Sequence, residues 1–122
     1  MADYVSLHMP LTSETTNLIN YSVLKTMKKN SIIVNTARGG IINELDLEKA
    51  LNEGLIFGAA LDVFSKEPIE INNPLLKNKK VILSPHSATF TDECTSRMGI
   101  ETTKNIIDFF ENKIDKSMIV KI

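Results

Sequence analysis

The sequence predicts an α/β fold: a parallel sheet of about four strands, flanked by helices and followed by a long C-terminal helix. Short apolar runs, each typical of a buried strand, alternate along the chain with segments in which apolar residues recur at helical spacing. This alternation indicates strands joined by crossover connections, which make neighbouring strands parallel. The four apolar runs cover residues 2–7, 32–34, 55–63 and 81–83.

The first half of the chain is expected to contain two strands and two helices. A polar, turn-like stretch at 12–17 separates the first strand from a short helix over 22–29, which has Val23, Leu24 and Met27 on one face. The next strand, 32–34, leads into a second helix.

The second helix carries signals at both ends. Asn43 is a good N-cap residue, and Glu44 and Asp46 place carboxylates in the first turn, where they favour the helix dipole. Gly54 suits the C′ position, which often adopts a left-handed conformation. Its apolar face is predicted to consist of Leu45, Leu47, Ala50 and Leu51.

The second half of the chain is predicted to hold the last two strands and the longest helix. A loop at 68–78 lies between the strands, and Thr91 is placed to cap a helix that runs to about residue 112. The apolar residues of this helix are expected to face inward. They are Met98, Ile106, Phe109 and Phe110.

Length and composition narrow the possible functions. The chain has 122 residues, which corresponds to about one domain, and a net charge of -1, which gives no electrostatic reason to expect nucleic acid or an acidic membrane as partner. No apolar run approaches the ~20 residues that a membrane span requires, and the N-terminus does not resemble a secretory signal. The single cysteine, Cys94, fits a reducing compartment. We therefore expect a cytoplasmic location.

Three polar stretches follow three of the predicted strands. Their sequences are Asn-Thr-Ala-Arg-Gly-Gly at 35–40, Asp-Val-Phe-Ser-Lys-Glu-Pro at 62–68 and Ser-Pro-His-Ser-Ala at 84–88. Each contains one ionisable residue at or beyond the end of its strand: Arg38, Glu67 and His86. Ligands of open α/β sheets bind outside the carboxyl ends of the strands. A guanidinium, a carboxylate and an imidazole at that edge are able to bind a carboxylate substrate and to transfer a proton.

Each of these residues also has an ordinary structural interpretation. Arg38 suits a surface loop, His86 suits a partly buried ring that bonds to a backbone carbonyl, and Glu67 suits a solvated loop. No metal site is predicted, because His8 and His86 are far apart in sequence and Cys94 has no cysteine nearby.

Taken together, the three stretches resemble the D-isomer-specific 2-hydroxyacid dehydrogenases, especially members like D-3-phosphoglycerate dehydrogenase. The resemblance extends over nearly the whole chain, beginning at Asp-Tyr-Val-Ser-Leu-His-Met-Pro-Leu-Thr, residues 3–12. It implies part of a Rossmann-type NAD-binding domain and an oxidoreductase that transfers a hydride between NAD and C2 of a 2-hydroxy or 2-oxo acid. The choices between NAD and NADP and among small acid substrates stay open.

The resemblance also implies roles for individual residues. Arg38 would bind the substrate carboxylate and carbonyl, His86 would be the general acid–base, and Glu67 would orient it. Asp62 would hold the nicotinamide carboxamide. The residues implied to line the cofactor are Met9, Pro10, Thr15, Thr36, Ala37, Arg38, Asp62 and His86.

Residues 1–122 are interpreted as the C-terminal portion of such a domain, without the substrate domain or the glycine-rich first half. In that interpretation the first strand is an exposed sheet edge, which favours self-association or a homo-oligomer. Two alternatives remain: a non-catalytic remnant or interaction module that keeps only the fold, and one half of a split dehydrogenase completed by another chain.

Overall fold

The structure, a computed structural model, describes residues 2–120. The chain divides into two compact units, Met1–Ala88 and Thr89–Ile122. The first unit contains the whole sheet, and the second contains the longest helix. The strands are β1 (Tyr4–Leu7), β2 (Ile32–Asn35), β3 (Gly58–Leu61) and β4 (Val81–Leu83), and the helices are α1 (Tyr21–Leu24), α2 (Glu44–Asn52) and α3 (Asp92–Phe110). Short 3-10 helices occupy Pro74–Lys77 and Lys116–Met118.

All four strands are parallel and lie in the order β1-β2-β3-β4, which confirms the predicted α/β sheet. The register aligns their last residues in one row, because Leu7 pairs with Asn35, Asn35 with Leu61, and Leu61 with Leu83. The loops that follow the four strands therefore leave the sheet from a common edge.

One face of the sheet carries the hydrophobic core. Alternate strand residues point to this face, as the pleat of a strand requires. They pack with side chains of the two short helices and of the first 3-10 helix. The fully buried members of this core include Leu24, Ile33, Leu47, Leu51 and Leu75. On the opposite face Tyr4 is 73% exposed and Ile82 is 74% exposed.

The predicted caps of α2 and the predicted N-cap of α3 are confirmed. The Asn43 side chain accepts a hydrogen bond from the Asp46 amide at the start of α2, and Gly54 has a φ of +69° just after its C-cap. The Thr91 hydroxyl accepts a hydrogen bond from the Cys94 amide at the start of α3. None of the helices in residues 2–120 combines the length and the apolar character that crossing a bilayer requires.

Several predicted details were wrong. α1 ends at Leu24 because the amides of Thr26 and Met27 bond to carbonyls three residues earlier, which replaces the helix by turns. β3 is shorter than the predicted 55–63.

Two predictions about helix faces were also wrong. Leu45 is 70% exposed, since it lies two positions before Leu47 and so projects from the other side of α2. None of the α3 residues is buried, so the expected inward-facing set is exposed in this chain. That set is Met98, Ile106, Phe109 and Phe110.

Candidate active site

The loops that follow β1, β2, β3 and β4 meet at the carboxyl edge of the sheet. This follows from the parallel pairing, with the strand ends aligned in one row. The edge therefore carries His8–Pro10, Thr36–Gly39, Asp62–Glu67 and Ser84–Ala88, and the predicted common position of the three polar stretches is confirmed.

The loop after β2 presents Arg38 to solvent. The Arg38 guanidinium donates a hydrogen bond from Nη1 to the Ala37 carbonyl oxygen at 2.7 Å. No carboxylate lies within ion-pair distance of Arg38 in residues 2–120. The cation is therefore available to an external carboxylate, which a guanidinium binds through two parallel hydrogen bonds.

Gly39 brings this loop against the loop after β3. A Cβ atom at Gly39 would lie 1.8 Å from the Phe64 carbonyl oxygen. Only glycine permits so close an approach of the two backbones. The turn that carries Arg38 is thereby held against the segment that leads to Glu67.

A cleft of about 360 Å³ lies beside Arg38. Its lining contains five of the predicted cofactor residues together with His8. The lining residues are His8, Met9, Pro10, Thr36, Ala37 and Arg38. Thr15 is not among them. Its hydroxyl instead donates to the Pro10 carbonyl oxygen at 2.8 Å, so Thr15 holds the backbone of a residue that lines the cleft.

His86 and Glu67 form a hydrogen-bonded pair. The His86 Nδ1 lies 2.7 Å from Glu67 Oε2, and Glu67 Oε1 accepts a hydrogen bond from the Phe64 amide at 2.9 Å. The His86 side chain is half exposed, and its Nε2 has no hydrogen-bond partner in the described part of the chain. The bond from His86, followed by the one from the Phe64 amide, holds the pKa of Glu67 below its ordinary value. Glu67 is therefore an ionised acceptor near neutral pH.

His86 adopts a backbone conformation that is uncommon for a residue with a side chain. Its φ is +54°. Histidine is among the few non-glycine types enriched in this left-handed region, and such conformations typically cost about 1–3 kcal/mol unless the surroundings impose them. The pair with Glu67 and the anchoring of the two following residues supply that constraint.

Asp62 provides the anchoring. It is 3% exposed, and its Oδ1 accepts from the Ser84 hydroxyl and the Ser87 amide, while its Oδ2 accepts from the Ala88 amide at 2.8 Å. Burial raises the pKa of Asp62, but these three hydrogen bonds and the nearby His86 outweigh it, so the net pKa is lowered. The carboxylate thus fixes both ends of the turn around His86.

The predicted residues fall into two clusters. Arg38 lies with the cleft residues, and Glu67, His86 and Asp62 lie together. No hydrogen bond joins Arg38 to Glu67 or His86 within residues 2–120, and the contact of Gly39 with Phe64 links the two clusters.

Sequence reasoning missed several supporting residues. It gave no role to Asn35, whose side chain is buried at the end of β2. For Asp62 it offered a ligand amide or the capping of a turn, but it did not say that the turn is the one around His86. The available signal was a short polar residue at or directly after the end of three of the strands, Asn35, Asp62 and Ser84, each before a loop with an ionisable side chain.

Fold and site together define a Rossmann-type α/β domain that carries, at the carboxyl edge of its sheet, a hydrogen-bonded histidine–glutamate pair and an arginine with no carboxylate partner in residues 2–120. Comparison with known proteins identifies the family within this class. The family model described as "D-isomer specific 2-hydroxyacid dehydrogenase, NAD binding domain" matches residues 1–88, and the chain belongs to this family. The predicted family and the NAD cofactor are thereby confirmed.

Relatives and a solved structure agree with this assignment. A glyoxylate reductase of Aeropyrum pernix is 46% identical over 118 residues, which are 97% of this chain and 35% of that protein. A D-3-phosphoglycerate dehydrogenase of Methanocaldococcus jannaschii is 42% identical over 118 residues, 97% of this chain and 22% of that protein. The NAD complex of a D-isomer-specific 2-hydroxyacid dehydrogenase from Lactobacillus delbrueckii ssp. bulgaricus superposes with a TM-score of 0.84 at 30% identity, covering 98% of this chain and 40% of that one.

These similarities refine the sequence-based expectation. The predicted likeness to phosphoglycerate dehydrogenase is present, but the glyoxylate reductase of Aeropyrum pernix shares the higher identity. The chain spans about a third of the length of that reductase.

The site residues fit a nicotinamide cofactor. Met9, Pro10 and Ala37 give the cleft apolar surface of the kind that a planar ring requires. Among residues 2–120 the Asp62 Oδ2 accepts one hydrogen bond, from the Ala88 amide, and a carboxylate oxygen has capacity for a second N–H.

Proposed function

We propose that this chain supplies the catalytic groups for NAD-dependent interconversion of a small 2-oxo acid and the corresponding D-2-hydroxy acid. The observation that supports this most strongly is the His86–Glu67 pair at 2.7 Å, at the same sheet edge as Arg38. Within residues 2–120, His86 Nε2 has no hydrogen-bond partner and Arg38 has no carboxylate partner. This combination provides a proton donor and a carboxylate anchor.

The division of roles follows from the protonation of the pair. Because the lowered pKa of Glu67 keeps it ionised, it accepts from Nδ1–H of His86, and Nε2 is the atom that gains and loses the mobile proton. In the reducing direction Nε2–H donates its proton to the carbonyl oxygen of the substrate. Glu67 fixes the orientation of the ring and balances the charge of the imidazolium.

Arg38 binds the substrate carboxylate and stabilises the negative charge that develops on the reacting oxygen. An electrostatic contribution of this kind is typically about 3–4 kcal/mol when it is removed by mutation. When bound, the cofactor supplies or accepts the hydride at C2. Met9, Pro10, Thr36 and Ala37 line its side of the cleft, with Thr15 supporting Pro10, and Asp62 accepts from its carboxamide.

Glyoxylate is the first substrate to assay, because the Aeropyrum pernix relative is a glyoxylate reductase, and D-3-phosphoglycerate is the second. We further propose that the chain alone does not turn over, since it spans about a third of that relative. Its location would be cytoplasmic, consistent with the single cysteine Cys94.

The catalytic proposal is tested in a chimera in which this chain replaces the matching segment of the Aeropyrum pernix glyoxylate reductase. We expect the chimera to oxidise NADH with glyoxylate. His86→Asn should reduce kcat at least 100-fold and leave the Kd for NADH within about twofold, because general acid–base catalysis contributes roughly 10²–10⁴-fold. Asparagine tolerates the positive φ at this position better than alanine does.

Two results would contradict the proposal. A folded chimera that binds NADH but gives no turnover would favour the alternative of a non-catalytic remnant or interaction module. Equal loss of NADH binding and turnover in His86→Asn would remove the acid–base assignment of His86.

We also propose self-association through the edge of the sheet. β1 pairs on one side only, with β2, and its Tyr4 side chain is 73% exposed. An unpaired strand edge favours pairing with another chain. Sedimentation of the 122-residue chain should show dimers or larger species at micromolar concentration. Tyr4→Lys should lower the fraction of these species. A monodisperse monomer across that range would refute self-association, while an assembly only with a separate dehydrogenase segment would favour a split enzyme.

A further inference from the structure

We propose that Asn35 is a positioning residue that sets the orientation of the Arg38 guanidinium. The proposal rests on the function proposed above for Arg38. Asn35 is the last residue of β2 and is 1% exposed, and both ends of its carboxamide bond to the loop that follows, so its side chain acts through that loop.

The Asn35 carboxamide bonds to the backbone on both sides of the Ala37–Arg38 peptide. Its Oδ1 accepts from the Ala37 amide at 3.1 Å, and its Nδ2 donates to the Arg38 carbonyl oxygen at 2.9 Å. Between these two bonds, the Ala37 carbonyl oxygen accepts from Arg38 Nη1 at 2.7 Å. The carboxamide therefore holds the peptide whose oxygen in turn holds the guanidinium.

The chemistry of this position requires a donor and an acceptor in one short side chain. Asparagine provides both, whereas a carboxylate provides only acceptors and an alkyl group provides neither. The position lies between Leu7 and Leu61 in the sheet register, among apolar neighbours. A polar group buried there is tolerated because both of its ends are bonded.

The two halves of the site meet through Gly39 and Phe64 and through the bond from the Asp62 amide to the Asn35 carbonyl oxygen. Neither contact uses the Asn35 carboxamide. The His86–Glu67 pair is held by Asp62 and by the Phe64 amide, and the Asn35 side chain makes no hydrogen bond to any of them in residues 2–120. Loss of the Asn35 carboxamide should therefore disorder Arg38 while leaving the histidine pair in place. A merely structural role would instead change the stability of the domain without a selective change at Arg38.

The test uses Asn35→Asp in the chimera with the Aeropyrum pernix glyoxylate reductase described above, with Asn43→Asp as the matched control. The substitution is the same at both positions, but Asn43 uses only its oxygen, as acceptor for the Asp46 amide, so a carboxylate replaces it without loss. The first readout is the ¹⁵N heteronuclear NOE of the Arg38 Nε–H group, measured without ligand. The second is the Kd for glyoxylate, followed by the shift of the same resonance.

We expect Asn35→Asp to lower the Arg38 NOE and to weaken glyoxylate binding at least tenfold at pH 7, with the His86 ring resonances unchanged. Lowering the pH should partly restore the NOE, because burial raises the pKa of a carboxyl group and the protonated form again has a donor for the Arg38 carbonyl. Asn43→Asp should change neither readout.

The outcomes separate this inference from the proposed function. A folded Asn35→Asp variant with an unchanged Arg38 NOE would overturn the positioning role, whether or not its Kd for glyoxylate changes. A lowered NOE together with no glyoxylate binding by the chimera with the wild-type segment would retain the positioning role and overturn the assignment of Arg38 as carboxylate ligand. If Asn35→Asp fails to fold, Asn35→Ser replaces it. Serine keeps an acceptor for the Ala37 amide but is too short to reach the Arg38 carbonyl oxygen, and an unchanged Arg38 NOE in this variant would likewise overturn the positioning role.

Discussion

Replacing Asp62 by asparagine should destabilise the first unit by an amount that its hydrogen bonds determine. Asp62 accepts three bonds, from the Ser84 hydroxyl and from the amides of Ser87 and Ala88. Asparagine has one acceptor oxygen, so its amide nitrogen would face the Ala88 N–H. Loss of the partly buried Ala88 bond costs about 1 kcal/mol, and each remaining bond loses about 1 kcal/mol when its acceptor becomes neutral. The smaller desolvation cost of a neutral amide offsets part of this, which leaves about 2–3 kcal/mol.

Urea unfolding at pH 7, followed by far-ultraviolet circular dichroism, measures this difference in the free energy of unfolding. Asp115→Asn is the matched control, because Asp115 accepts from the Ser117 amide at an exposed position where asparagine caps equally well. We expect no measurable change for the control. A loss below about 0.5 kcal/mol for Asp62→Asn would refute the role of Asp62 in holding the His86 turn, since that is the range of an ordinary surface substitution.

The pH dependence provides a second check on Asp62. Its pKa in the folded chain is below the unfolded value of about 3.9, so the ionised form stabilises the fold at every pH above that value. This contribution is lost as the pH falls through the folded pKa. The stability difference between the wild-type chain and Asp62→Asn should therefore be constant from about pH 6 to 8 and should narrow below about pH 4. A difference that does not change down to pH 2 would exclude this mechanism.

Two pairs of substitutions test packing by thermal and urea unfolding. Gly39→Ala should destabilise the domain by about 1–3 kcal/mol, because its Cβ would overlap the Phe64 carbonyl oxygen, whereas Gly99→Ala, in open space on α3, should stabilise its helix by about 0.5–1 kcal/mol. Leu51→Ala should cost about 2–5 kcal/mol because Leu51 is fully buried, and Leu45→Ala on the same helix should stay within about 0.5 kcal/mol. Equal effects of the two substitutions within either pair would contradict the packing described.

Local signals in the sequence were sufficient for most of the element ends. Asn43, Gly54 and Thr91 act within a few residues of their own position, and each was found where it was predicted. The length of α1 was not predictable in this way. A four-residue helix depends on packing around Leu24 more than on local propensity, and its periodicity continues past the point where turns replace it.

The sequence by itself determined the class of fold, the family and the edge of the sheet at which Arg38, Glu67 and His86 lie. These follow from apolar periodicity and from short motifs, both of which are local in the chain. Only the tertiary structure decided that Asp62 holds the His86 turn across more than 20 residues, and that Gly39 must be glycine because of Phe64. The exposure of the apolar residues of α3 was also decided by the tertiary structure and not by the sequence pattern. Hydrogen bonds and steric contacts between loops depend on the register of the strands, and that register is fixed only when the sheet assembles.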